Sequence, residues 1–165
     1  MCCLFCLMFF PASQAHAWPG VVESVQDGDT VTVLPAGAVD ASVGVRLYGI
    51  DAPETDQTFG GESAAMLRLL VPLGSRVEIV PMGADRYGRM TAVVILDGMT
   101  VNYEMVKQGG AWVEPRYCRA KMCRRWWKGV REAQDEGRGL WAQGAKEPWK
   151  WRAEDKKSRR KADTR

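Results

Sequence analysis

Apolar and polar positions alternate along the first half of the chain. Residues 21–26 are strand-like and 30–34 alternate Thr with Val. In 43–48, Val43, Val45 and Leu47 fall on one face, Arg46 and Tyr48 on the other. Asp27-Gly28 between the first two runs is a hairpin-turn signal, 35–41 reads as a loop, and Pro53 stops a simple ladder from continuing past Asp51. Residues 62–71 change to a helical period, with Met66, Leu69 and Leu70 as the apolar stripe and Pro72 and Gly74 closing it. Strand character returns at 76–80 and 90–96, joined by a turn over 83–88. A short helix at 102–108 stops at Gly109-Gly110. A longer one at 122–136, with Met122, Trp126, Val130 and Ala133 at helical spacing, ends at Gly137 and Gly139. Five strands with a helix after the third, and helices at the end, predict a mainly β, α+β domain. Its core is a small five-stranded barrel with about three helices, a type that binds nucleic acids on one face.

The two ends of the chain depart from this pattern. Residues 2–10 form an apolar run too short to span a bilayer, followed by Pro11 and the small-x-small step Ala15-His16-Ala17. Residues 1–17 therefore read as a secretory signal peptide, the other reading being an apolar segment that packs or anchors. No Lys or Arg precedes the run, which fits a true start further upstream. The barrel domain is expected over 18–142. Residues 143–165 form a basic tail, read as solvated and without fixed structure, or as a segment adding non-specific affinity for a polyanion.

Removal of the leader would change the available chemistry. Three of the five cysteines and the single histidine precede position 18. A mature chain without histidine cannot carry a Ser-His-Asp triad, a histidine general base or histidine-ligated zinc. Cys118 and Cys123 remain, and in an exported protein they read most simply as a disulfide closing a small loop, with free thiols as the other reading.

The charges then come into focus. The stretch from Arg46 to Glu54 holds one guanidinium and two carboxylates, Asp51 and Glu54, at the end of an apolar strand. Asp27-Gly28-Asp29-Thr30 lies upstream and Asp85-Arg86-Tyr87-Gly88-Arg89 downstream. Carboxylates beside arginines suit a site that holds a hard cation against a phosphate, so phosphodiester cleavage is the first chemistry to consider.

In this order, Asp-Gly-Asp-Thr, Arg-Leu-x-Gly-Ile-Asp-Ala-Pro-Glu and Asp-Arg-Tyr-Gly-Arg resemble the thermonuclease family of staphylococcal nuclease-like domains. Val101-Asn102, Gln108-Gly109 and Gly139-Leu140-Trp141 extend the likeness across roughly 21–141. The resemblance implies an oligonucleotide-binding (OB-fold) barrel and a calcium-dependent phosphodiesterase acting on DNA and RNA and leaving a 3′-phosphate. It implies Asp29, Asp51 and the carbonyl of Ala52 as Ca2+ ligands, Glu54 as general base, Arg46 and Arg89 on the phosphate, and Tyr87 near the nucleotide. Physical chemistry suits these roles. Calcium takes about six to eight oxygen ligands, so two carboxylates and a carbonyl leave room for water and a phosphate oxygen. Arginine forks match the equatorial phosphate oxygens. Asp27 is assigned to the turn alone and Arg86 to solvent.

Two departures from the family stand out. Pro115 occupies the position of one family tyrosine near the substrate, although Tyr117 matches another, and 56–61 is shorter than the flexible loop of the best-known member. The expected protein is a monomeric periplasmic or secreted nuclease without stable membrane association. The competing reading is a non-catalytic nucleic-acid-binding OB-fold module, whose degenerate copies should lack some of Asp29, Arg46, Asp51, Glu54 and Arg89. All five are present.

Overall fold

The structure, a computed structural model, describes residues 16–163; the apolar run assigned to the signal peptide lies outside them. Strand β1 (Trp18–Val25) pairs antiparallel with β2 (Thr30–Pro35), and β2 pairs with β3 (Val43–Leu47). On its other edge β1 pairs with β5 (Arg76–Ala84), which pairs with β6 (Met90–Leu96). A parallel contact between β3 and β6, Val45 opposite Met90 and Leu47 opposite Ala92, closes the five strands into a barrel. Closure leaves no free edge among these strands. The architecture is the mainly β, OB-fold barrel expected.

Alternation along the strands fills the barrel. Val45 and Leu47 from β3, Val31 and Val33 from β2, and Val77 and Ile79 from β5 are buried in one core. A bulge between Val22 and Ser24 lets β1 send both Val22 and Val25 inward. Strand β5 runs past the expected stop at Val80 to Ala84, because a register shift between Pro81 and Gly83 lets it continue.

Helix α1 (Gly60–Leu70) starts close to the expected place, and Met66 and Leu70 of the expected stripe pack half-buried against the core. Ser63, Ala64 and Leu67 point inward, whereas Leu69 of the expected stripe is 82 % exposed. Short side chains allow α1 to lie close to the barrel: the Ser63 hydroxyl donates to the carbonyl of Gly110 at 2.7 Å. Two two-residue strands, β4 (Ile50–Asp51) and β8 (Trp112–Val113), pair across the barrel end, and β7 (Met99–Thr100) leads into α2 (Val101–Lys107). Asn102 on α2 is fully buried. Its Oδ1 accepts from Val94 N–H, and its Nδ2 donates to the carbonyls of Tyr48 and Ala92, so α2 clamps the ends of β3 and β6 together.

Helix α3 (Cys123–Asp135) packs Trp126, Val130 and Ala133 into the core as their spacing predicts, whereas Met122 of the same stripe precedes the helix and is exposed. A disulfide joins Cys118 to Cys123 at its start. The remaining segment differs from expectation. Instead of a tail without fixed structure, Pro148–Asp163 forms helix α4, giving four α-helices among the described residues rather than about three. Trp149 is the reason it docks, since it packs on a small second core of Phe59, Trp112 and Leu140.

Candidate active site

Two tight turns bring the acidic residues together. In the β1–β2 turn, Asp27 Oδ1 accepts the amide of Asp29 at 2.9 Å, the turn role assigned to Asp27. Gly28 at its tip lies so close to α1 that a Cβ there would sit 1.9 Å from Ser63 Oγ and 2.7 Å from Ala52 Cβ. That approach lets Asp29 Oδ2 accept the Ala52 amide at 2.8 Å. After β3 the chain turns at Gly49, which has φ of 72° and lies against Cys118, where a Cβ would be 2.8 Å from the sulfur. The turn delivers Asp51 to β4.

Arg46 joins the two carboxylates. Its side chain leaves β3 on the face opposite Val45 and Leu47; Nη1 pairs with Asp29 Oδ1, and Nη2 with Asp51 Oδ1 at 2.7 Å. Asp29 and Asp51 are 3 % and 1 % exposed, burial that carboxylates tolerate only when paired and hydrogen-bonded. The Thr30 hydroxyl adds a bond to Asp29 Oδ1 at 3.0 Å. Burial pushes the Asp29 carboxyl up to about 7; the Arg46 charge opposes this, and Asp27 and Asp51 add to it. Burial pulls the Arg46 guanidinium down, but Asp29 and Asp51 outweigh it and leave the group raised and firmly charged.

These groups form the floor of a cleft of about 470 Å³. Glu54 lines it, with its side chain 37 % exposed, enough to meet a water molecule. The rim is basic and aromatic. In the β5–β6 turn, Asp85 accepts the amides of Tyr87 and Arg89 and the Arg89 Nε at 2.7 Å, which holds Asp85 below its ordinary value against the opposing effect of its burial. Arg86 and Arg89 lie 4.8 and 5.6 Å from the Tyr87 ring centroid, so Arg86 is stacked rather than merely solvated. Arg89 and Tyr87 thus reach the same cleft as Arg46 and Glu54, but from its rim, with Arg89 resting on its own carboxylate.

Three further residues line the cleft without having been singled out. Arg152 of α4 is bonded to Asp51 through Nη2 to Oδ2 at 2.6 Å and Nη1 to Oδ1 at 3.2 Å, and Nη1 also donates to Glu54 Oε1 at 2.5 Å. Buried Glu114 receives Arg116 Nε at 2.8 Å. The signal for Arg152 lay in Pro148-Trp149-Lys150-Trp151-Arg152, since tryptophans interleaved with a basic run give a tail something to bury. Glu114 sits after the two-residue strand Trp112–Val113 and has no periodic signal. Tyr117 stands at the rim half exposed, whereas Trp112 is buried and packs edge-on against Trp141.

The donor chemistry fits a hard cation. Asp29 and Asp51 offer only oxygen, and each buried carboxylate is now balanced by a guanidinium. Among the described residues no three Asp, Glu, His or Cys side chains converge as a metal-holding group, so a cation here would rest on two carboxylates, with backbone oxygen and water completing the shell.

The molecule is thus a closed OB-type barrel with a carboxylate–guanidinium cleft on one face. Residues 44–143 match the staphylococcal nuclease homologue family, and the chain belongs to it. It is 40 % identical over 136 residues to an uncharacterized endonuclease of Haemophilus influenzae, covering 82 % of this chain and 73 % of that protein. It is 38 % identical over 145 residues to an uncharacterized endonuclease of Escherichia coli O157:H7, covering 82 % and 90 %. A micrococcal nuclease of Shigella flexneri is 35 % identical over 147 residues, covering 83 % and 82 %. The protein is a nuclease of the staphylococcal type.

Proposed function

We propose that this nuclease is an exported, calcium-dependent phosphodiesterase that cleaves DNA and RNA with little sequence preference. The observation that carries this reading is the Arg46 bridge between buried Asp29 and Asp51, in one cleft with Glu54 and Arg89. Asp29, Asp51 and the Ala52 carbonyl would hold the cation, which when bound supplies charge neutralisation and polarisation of the phosphoryl group. Glu54 accepts the proton of the attacking water. Arg46, and Arg89 once it leaves Asp85, meet the charge that builds on the phosphoryl oxygens. Tyr87, 68 % exposed at the rim, offers a face to a base.

Export is supported by the Cys118–Cys123 disulfide, because such bonds persist in oxidising compartments. A periplasmic or secreted monomer is the simplest form. A non-catalytic binding module does not account for a general-base carboxylate beside two buried carboxylates and a bridging guanidinium.

The test is cleavage of single-stranded DNA and RNA by the purified protein in added calcium. The reading expects degradation of both that stops on chelation and returns with calcium. Cleavage indifferent to chelator would contradict the calcium assignment, and binding without cleavage would favour the module.

A further inference from the structure

The second guanidinium in the site does not belong to the barrel. Arg152 lies in α4, beyond the residues that match the family, yet it bonds both oxygens of Asp51 and one of Glu54. These are the proposed cation ligand and the proposed general base. We propose that α4 is an autoinhibitory strap: Arg152 stands in for the divalent cation on Asp51, and the cation binds only as the strap lets go. This rests on the calcium reading above.

Several observations point to a strap rather than a structural brace. Asp51 already has a cationic partner in Arg46 at 2.7 Å, so its burial does not depend on Arg152. The Arg152 side chain is 36 % exposed, and most of α4 beyond it faces solvent. Among its contacts with the rest of the molecule are Trp149 on the second core, the Gln57 side-chain amide on the Lys146 carbonyl just before the helix, and an exposed Lys146–Glu154 ion pair. Exposed ion pairs contribute little, about 0–1 kcal/mol each, so the helix can leave without unfolding the barrel.

Competition follows from charge and space. A bidentate guanidinium saturates the Asp51 oxygens facing the cleft and keeps Glu54 from orienting water. A cation that must first displace it binds with its affinity reduced by the fraction of molecules in which the strap is undocked. Nucleic acid would favour release as well, since the freed basic helix can pair with phosphates.

The experiment is calcium binding by isothermal titration calorimetry without substrate, on the full chain, Arg152→Gln and Trp149→Ala, with circular dichroism confirming the fold of each. The strap predicts calcium binding at least about tenfold tighter in both variants. Trp149→Ala is decisive because it undocks the helix while keeping the Arg152 charge. A second readout is tryptic cleavage within α4 of the wild type, which should quicken when calcium is added. Equal affinity in all three proteins, or tighter binding in Arg152→Gln alone, overturns the strap, as does cleavage indifferent to calcium. Calcium heat in none of the three overturns the calcium reading itself, and the strap with it.

Discussion

Asp29 and Ala52 are 23 residues apart in the chain and joined by one hydrogen bond, from the Ala52 amide to Asp29 Oδ2 at 2.8 Å. That bond fixes the distance between the two acidic segments and points Asp29 toward Arg46. It exists because the Gly28 turn presses directly on α1 and on Ala52.

Replacing Gly28 with Ala should therefore loosen the site and cost stability together. A methyl 1.9 Å from Ser63 Oγ and 2.7 Å from Ala52 Cβ forces the turn outward. We expect a loss of about 1–3 kcal/mol in urea denaturation, the usual cost of overpacking, with a lower cleavage rate under native conditions. Unchanged stability would mean the turn has room that the structure does not give it.

Asn102→Leu takes its side-chain partner from the Val94 amide and the Tyr48 carbonyl, while the Ala92 carbonyl keeps the Tyr48 amide at 2.7 Å. At about 1–3 kcal/mol for each buried group left unmatched, the variant should lose several kcal/mol or fail to fold. Thermal unfolding followed by circular dichroism checks this.

Much of this arrangement is legible in the amino-acid sequence. Strand β3 is legible because period-2 alternation forces Arg46 and Tyr48 away from Val45 and Leu47, and Asp27-Gly28 marks the hairpin between β1 and β2. The stripe on α1 misleads at Leu69 alone, because helix faces are set by what they meet. Against a close barrel wall, Ser63 and Ala64 fit where Leu69 does not. The β4–β8 pairing is two residues long and leaves no periodic trace. Arg152 is hidden for a different reason: its partners are about a hundred residues away, and a strongly basic composition outweighs the few tryptophans that dock α4.

The Cys118–Cys123 bridge closes a short loop against Gly49 and the start of α3. Replacing both cysteines with Ala should cost about 2 kcal/mol by loop entropy, and reductant should lower the wild-type denaturation midpoint but not that of the variant.

Asp85 sets a pH dependence of stability. Its carboxyl ionises below its ordinary value of 3.8 in the folded state, because hydrogen bonds from Arg89 and two amides overcome the opposing effect of burial. A depressed folded value contributes stability above the ordinary value and loses it as pH falls through the folded one. Urea midpoints below pH 4 should therefore fall more steeply for the wild type than for Asp85→Asn, whose midpoint should be lower near neutral pH. Parallel curves would remove Asp85 as the support of the Arg89 turn.

The most direct test of the central claim is Glu54→Gln, measured for single-turnover cleavage of single-stranded DNA in saturating calcium and, separately, for DNA binding. Loss of the base should slow cleavage by about 10²–10⁴-fold while binding and fold are kept. Cleavage at the wild-type rate would show that Glu54 does not activate the water and would contradict the account.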